Sequence, residues 1–209
     1  MNRRKWPLTD EEYEFIKGEV IHLFNKYKIK CIPISGFEIA TKMGITMIPY
    51  SSLKGKRLKK ALEISQDGFY CEENGIEYIY YNNIKKSYKR QNMTILHEIG
   101  HCVLDHTGHS EKEEAEANFF AKYAIAPPPL IHRIGATSPF DIYCAFDISE
   151  EASKYAYEYY ITWKDRYYRI GKMSLYEQTM VKMFNHSIQK YQAEKERRLN
   201  EFYENYIAE

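Results

Sequence analysis

His97, Glu98 and His101 lie in the run Thr94-Ile95-Leu96-His97-Glu98-Ile99-Gly100-His101, and residues of these types at this spacing can hold a metal ion and activate water. On a helix, residues four apart share a face, so the two imidazoles aim at one point. Glu98 is turned by about 100° from His97. That makes it a poor third ligand from the same turn but places it well to reach a water beside the metal. Zinc takes neutral imidazole and anionic oxygen ligands, and a catalytic site keeps one position open for water. Glu98 is then the general base, taking a proton from the water and later delivering it to a leaving amine. The five-residue pattern also arises by chance, as two surface or core histidines on a helix. A third ligand decides between the readings.

Such a ligand is available downstream. After a polar reversal over 105–109 comes Ser110-Glu111-Lys112-Glu113-Glu114-Ala115-Glu116-Ala117-Asn118-Phe119-Phe120-Ala121. A carboxylate on this second helix can be folded back onto the first by the short loop. Ser110 with Glu113 makes a capping-box pattern, which gives Glu113 a structural task. Glu111 and Glu114 read as solvated first-turn carboxylates that favour the helix dipole. Glu116 shares a side with Phe119, Phe120 and Tyr123, and a carboxylate beside a buried stripe needs a partner that a metal would supply. Glu116 is therefore the first choice for the third ligand and Glu113 the second. His106 and His109 are expected to be loop residues. A metzincin would require Gly at position 104 and His at position 107, where this chain has Leu104 and Thr107.

The elements that must position these groups can be read from periodicity and punctuation. Thr9 and Glu12 form a capping-box pattern ahead of Tyr13, Ile16, Val20, Leu23, Phe24 and Tyr27, which predicts an amphipathic helix. Further helices are predicted over 37–42 (stopping at Gly44), 53–64, 92–104 and 110–125, the last ended by Pro127-Pro128-Pro129. Another starts at Ser149 and runs through Trp163. From Ser174 a stripe of Tyr176, Met180, Phe184, Ile188 and Tyr191 marks a last helix. Its period is longer than a heptad's, which favours packing back on the domain over a dimerising coiled coil. Asn74-Gly75 between the β-prone runs 68–71 and 76–81 predicts an antiparallel hairpin, because both turn residues tolerate positive φ.

The 209-residue chain carries 30 Lys plus Arg against 29 Asp plus Glu, a formal net charge of +1. That balance gives no global case for nucleic-acid binding. The basic run Lys54, Lys56, Arg57, Lys59 and Lys60 reads as a solvated helix face. Hydrophobic residues make up 44%, enough to build a core. The four cysteines, Cys31, Cys71, Cys102 and Cys144, form no Cys-x-x-Cys pair, and the opening residues carry no apolar leader, so neither a disulfide framework nor export is expected. No stretch has the length and hydrophobicity of a membrane span. The expectation is a cytoplasmic protein with no membrane contact and no direct nucleic-acid partner.

His-Glu-Ile-Gly-His followed by Glu-Ala-Asn-Phe-Phe-Ala and a proline-terminated helix resembles the ImmA/IrrE family of zinc metallopeptidases. The likeness spans roughly residues 35–163, including Phe146-Asp147-Ile148-Ser149 as the entry to a later helix, and its specific part is 94–129. Tyr-Ala-Ile-Ala-Pro stands where the family more often has Leu-Leu-Met-Pro, and the last forty or so residues match no known pattern. The resemblance implies an α+β, zincin-like fold, with a small antiparallel or mixed sheet packed on the active-site helix and additional C-terminal helices. It implies a bound Zn2+ held by His97, His101 and Glu116, with Glu98 as catalytic glutamate. It divides the chain into an N-terminal helix (1–30), a metallopeptidase domain (31–165) and a C-terminal helical extension (166–209). It also implies a protein substrate, a helix-turn-helix repressor of a phage or mobile element. The competing expectation is a zinc-binding regulatory module that acts on a repressor by contact without proteolysis. In a zincin the strand beside the active-site helix offers an open edge to an extended peptide. Residues 76–81 are the candidate for that edge, the alternative being a core strand.

Overall fold

A computed structural model describes residues 8–108 and 110–207. The chain divides into two compact units, one holding the chain up to Lys28 together with Ile34–Ile125, the other holding Ile29–Pro33 and the chain from Ala126 onward. This division follows packing, whereas the three-part division above follows motifs. The architecture is α+β with a small mixed sheet.

The first unit begins with α1 (Asp10–Tyr27). Its capping box is complete, the Thr9 N–H donating to Glu12 Oε2 at 2.7 Å and the Glu12 N–H to Thr9 Oγ1 at 3.2 Å. Helix α2 (Gly36–Met43) ends at Gly44. Strand β1 (Thr46–Pro49), a short 3-10 turn and α3 (Lys56–Ile64) follow. The predicted hairpin is β2 (Gly68–Glu73) and β3 (Ile76–Tyr81), with Asn74 at φ 55° and Gly75 at φ 74° in its turn. Helix α4 (Tyr88–Val103) starts earlier than the hydrophobic pattern predicts, because the Ser87 side chain accepts from the Arg90 N–H and caps it. Helix α5 (Glu111–Ile125) completes the unit.

The sheet order is β1-β3-β2, with β1 parallel and β2 antiparallel to β3. Of the two readings of residues 76–81, an open edge or a core strand, the structure has the core strand. β3 is the central strand, hydrogen-bonded on both sides, and its Ile79 is fully buried. The physical reason is the short strand β1, whose four residues lack the alternation that reveals a strand in sequence. The free edges belong to β1 and β2.

Ile16, Val20 and Phe24 of α1, Ile39 of α2, Ile95, Leu96 and Ile99 of α4, and Ala117, Phe120 and Ala121 of α5 form the buried core. Two glycines set how closely α4 is approached. A Cβ on Gly68 would lie 2.7 Å from Thr94 Cγ2 and 2.6 Å from the Tyr80 carbonyl oxygen, so β2 can lie against α4 only with glycine there. A Cβ on Gly100 would lie 3.2 Å from Ala117 Cα and 3.1 Å from Phe120, so α5 approaches α4 almost backbone to backbone.

The second unit holds α6 (Pro128–Arg133), α7 (Pro139–Phe146), α8 (Glu150–Ile170) and α9 (Leu175–Ile207). Helix α9 packs on α6 within this unit, with Met180, Phe184 and Ile188 fully buried. Buried Glu177 ties α9 to α8 by accepting from Trp163 Nε1 at 2.6 Å. No helix among the described residues is long and apolar enough to cross a membrane.

Candidate metal centre

Helix α4 presents His97 and His101 on one face, one turn apart, and their Nε2 atoms are 3.1 Å apart. The third group is the Glu114 carboxylate, 3.4 Å from His97 Nε2 and 3.5 Å from His101 Nε2. Among the described residues these three form a group that could hold a metal ion. Ligand atoms about 2.0–2.2 Å from a tetrahedral zinc stand about 3.3–3.5 Å from one another. The two carboxylate separations, each to a different Glu114 oxygen, fall in this range and the 3.1 Å between the nitrogens is slightly shorter, so the three groups converge closely enough to share one ion. Two nitrogens and one carboxylate oxygen are also the donor set of a catalytic zinc, which leaves a fourth position for water.

Packing explains why Glu114 reaches the histidines. The α5 face that meets Gly100 is formed by Ala117 and Phe120, and Glu114 lies one turn before Ala117 on the same side. The close approach at Gly100 therefore brings Glu114 to the histidine face of α4. Glu116 does not join the cluster. Its Oε2 is 3.0 Å from His106 Nε2, and its other oxygen is 3.8 Å from Lys112 Nζ. The stripe it shares, Phe119 and Tyr123, points elsewhere, and Phe119 makes an edge-to-face contact with Tyr13 of α1 at 4.6 Å. A carboxylate beside a buried stripe does need a partner, but α5 carries two buried stripes. Glu114, which the sequence reads as a solvated first-turn residue, stands with the imidazoles instead.

Glu113 has the structural task expected of it. It accepts from the Ser110 N–H and hydroxyl and from the Gly108 N–H, and the Ser110 contacts hold its carboxyl down at about 2. His106 lies in the loop between α4 and α5, as expected, with its side chain buried and hydrogen-bonded. His109 lies outside the described residues.

Glu98 is 7% exposed and accepts from the Tyr70 N–H of β2 at 2.9 Å. Burial pushes its carboxyl up to about 7, with the Glu114 carboxylate adding to the rise and the Tyr70 bond opposing it. A carboxyl in this range can both accept and return a proton near neutral pH. Burial also pushes the His97 imidazole below its usual value, against the pull of Glu114, which keeps it in the neutral form a metal needs. The Tyr70 amide hydrogen points away from β3, so the outer edge of β2 runs past Glu98.

Among known proteins, a peptidase family model described as the IrrE N-terminal-like domain matches residues 46–162, more than half of the chain. The match takes in the sheet, α4, α5 and most of α8. No curated protein matches the chain.

Proposed function

The chain belongs to the peptidase family of the IrrE N-terminal-like domain, and we propose that it is a zinc-dependent metallopeptidase that hydrolyses a peptide bond in a protein substrate. The observation that carries this reading is the convergence of His97 Nε2, His101 Nε2 and the Glu114 carboxylate closely enough to share one metal ion, with Glu98 next to His97 on the same helix turn. His97, His101 and Glu114 would hold the metal, with Glu114 taking the place first given to Glu116. When bound, zinc supplies a Lewis acid that polarises the scissile carbonyl and makes water acidic enough to attack at neutral pH.

The chain's own residues carry the proton. Glu98 accepts it from the attacking water as the new C–O bond forms, and delivers it to the nitrogen as the C–N bond breaks. The Tyr70 N–H holds the Glu98 carboxylate in place through both steps. An extended substrate adding to the outer edge of β2 would run beside Glu98, which supports a peptide rather than a compact small molecule. By the resemblance drawn from the sequence, the substrate is a helix-turn-helix repressor of a phage or mobile element, met in the cytoplasm.

Glu98→Gln tests the reading. The variant should keep its zinc while cleavage of casein, or of a panel of helix-turn-helix repressors, falls by about 10²–10⁴. A zinc-loaded Glu98→Gln protein that still inactivates a repressor as well as wild type would leave the contact-only module in its place. Cleavage of casein with every repressor untouched would sink the substrate assignment alone.

A further inference from the structure

His101 is held from behind as well as in front. Helix α4 ends in a Schellman turn, with Asp105 at φ 54°, the His106 N–H bonded to the His101 carbonyl at 3.0 Å and the Asp105 N–H to the Cys102 carbonyl at 3.3 Å. This turn folds the residue two past the cap back onto the residue that begins the last turn. Apolar side chains usually meet there; here two imidazoles do. His106 Nδ1 is 2.9 Å from His101 Nδ1, and His106 Nε2 is 3.0 Å from Glu116 Oε2. The His106 side chain is 5% exposed and that of Glu116 18%. Lys112 stands 3.8 Å from the other Glu116 oxygen and 2.6 Å from Glu12 of α1.

We propose that His106 and Glu116 are positioning residues that hold His101 in the tautomer able to bind metal through Nε2; this inference rests on the metal-centre reading above. The proton assignment follows from the contacts. Glu116 is an acceptor, so a His106 ring that carries one hydrogen keeps it on Nε2, facing the carboxylate, and its Nδ1 is left as an acceptor. Only one of two facing Nδ1 atoms can carry the hydrogen, so His101 carries it on Nδ1 and its Nε2 lone pair faces His97 and Glu114. The opposite assignment would set the bare His106 Nε2 against the Glu116 carboxylate, two acceptors at 3.0 Å. Glu116 thus selects, through two rings, the ligand form of His101. A carboxylate behind a metal-binding histidine also raises the basicity of the ligand nitrogen.

The test uses the full chain with 15N-labelled histidine, as wild type, Glu116→Ala, Glu116→Gln and His106→Phe. Long-range 1H–15N correlations on the metal-free protein read the His101 tautomer, with His97 as internal control. Zinc affinity is read by competition with a chelator. Wild-type His101 should be the Nδ1–H form alone, and Glu116→Ala should show a mixture with Nε2–H while His97 is unchanged. Zinc affinity should fall about 10–100-fold in Glu116→Ala and His106→Phe, with Glu116→Gln, which keeps an acceptor oxygen, between them and wild type. A His101 signal that stays Nδ1–H in Glu116→Ala, with affinity within twofold of wild type, overturns the proposal. If the alanine or phenylalanine variant does not fold, Glu116→Gln alone decides by the same two readings. If wild type takes up no zinc, the metal-centre reading fails, and the tautomer data still decide whether the pair orients His101.

Discussion

Helix α5 turns one buried face to α4 and another to α1, and a glutamate stands at the N-terminal end of each. On the first face Glu114 precedes Ala117 and Phe120, which lie against Gly100, and it meets two imidazole nitrogens. On the second face Glu116 precedes Phe119, which lies edge-on to Tyr13, and Tyr123 beside Phe119, and it meets His106 and Lys112. Both carboxylates are partnered, so burial and pairing do not separate their roles. The small residues beneath Glu114 do. The close approach of the two helix backbones at Gly100 and Ala117 is what lets a first-turn carboxylate reach across to the neighbouring helix.

The comparison breaks most directly by removing each carboxylate. Glu114→Ala should weaken zinc binding by more than about 100-fold, since on the proposed reading it deletes a ligand, whereas removing Glu116 falls within the smaller range for a residue behind a ligand. Chelator competition on the two variants measures the difference. Loss of zinc with Glu116→Ala and its retention with Glu114→Ala would reverse the roles of the two faces.

Much of this site can be read in the sequence, and the unread part has definite physical causes. The spacing of His97 and His101 predicts that they share one helix face, as they do, and the peptidase family match agrees with the resemblance drawn from them. The Asn74-Gly75 hairpin and the Thr9 box form as their residues dictate. Glu114 escapes sequence reasoning because helical periodicity places residues on faces without saying which neighbour each face meets. The small residues Gly100 and Ala117 carry the signal, but they mark a close contact only once α4 and α5 are known to touch. His106 escapes it because its position is set by the turn after α4, where Asp105 adopts a left-handed conformation that sequence only permits. The central place of β3 is hidden by a partner strand of four residues, too short to show alternation.

A smaller effect sharpens the contrast through pH. Glu98 is raised from 4.5 to about 7 in the folded, metal-free protein, so the folded state binds more protons than the unfolded state between these values. Stability then falls as pH rises through that window, and what the protonated carboxyl contributes is lost above about 7. Glu98→Gln cannot ionise and should escape the loss. The metal-free variant should be more stable than metal-free wild type by roughly 3 kcal/mol at about pH 8, with the gap closing near pH 4.5. Taking the difference between the two urea-unfolding profiles cancels the titration of His97, common to both. A gap that stays constant over this pH range would show that burial does not raise Glu98.

The smallest effect isolates the helix contact itself. Gly18 lies inside α1 with nothing within 4 Å of an added Cβ, so Gly18→Ala should collect the full helix-propensity gain of about 0.5–1 kcal/mol. Gly100→Ala gains the same propensity but sets its Cβ 3.2 Å from Ala117 Cα, an atom that cannot move without the α5 backbone. Overpacking of this kind costs about 1–3 kcal/mol, so the net change should be a destabilisation of roughly 1 kcal/mol. The same outward shift of α5 draws Glu114 from the histidines, so zinc affinity should fall with stability at Gly100 and stay unchanged at Gly18. Urea unfolding and chelator competition on the two variants test both halves. Equal stabilisation by the two alanines would mean that α5 is not held against α4 at Gly100, and the distinction between its two faces would lose its cause.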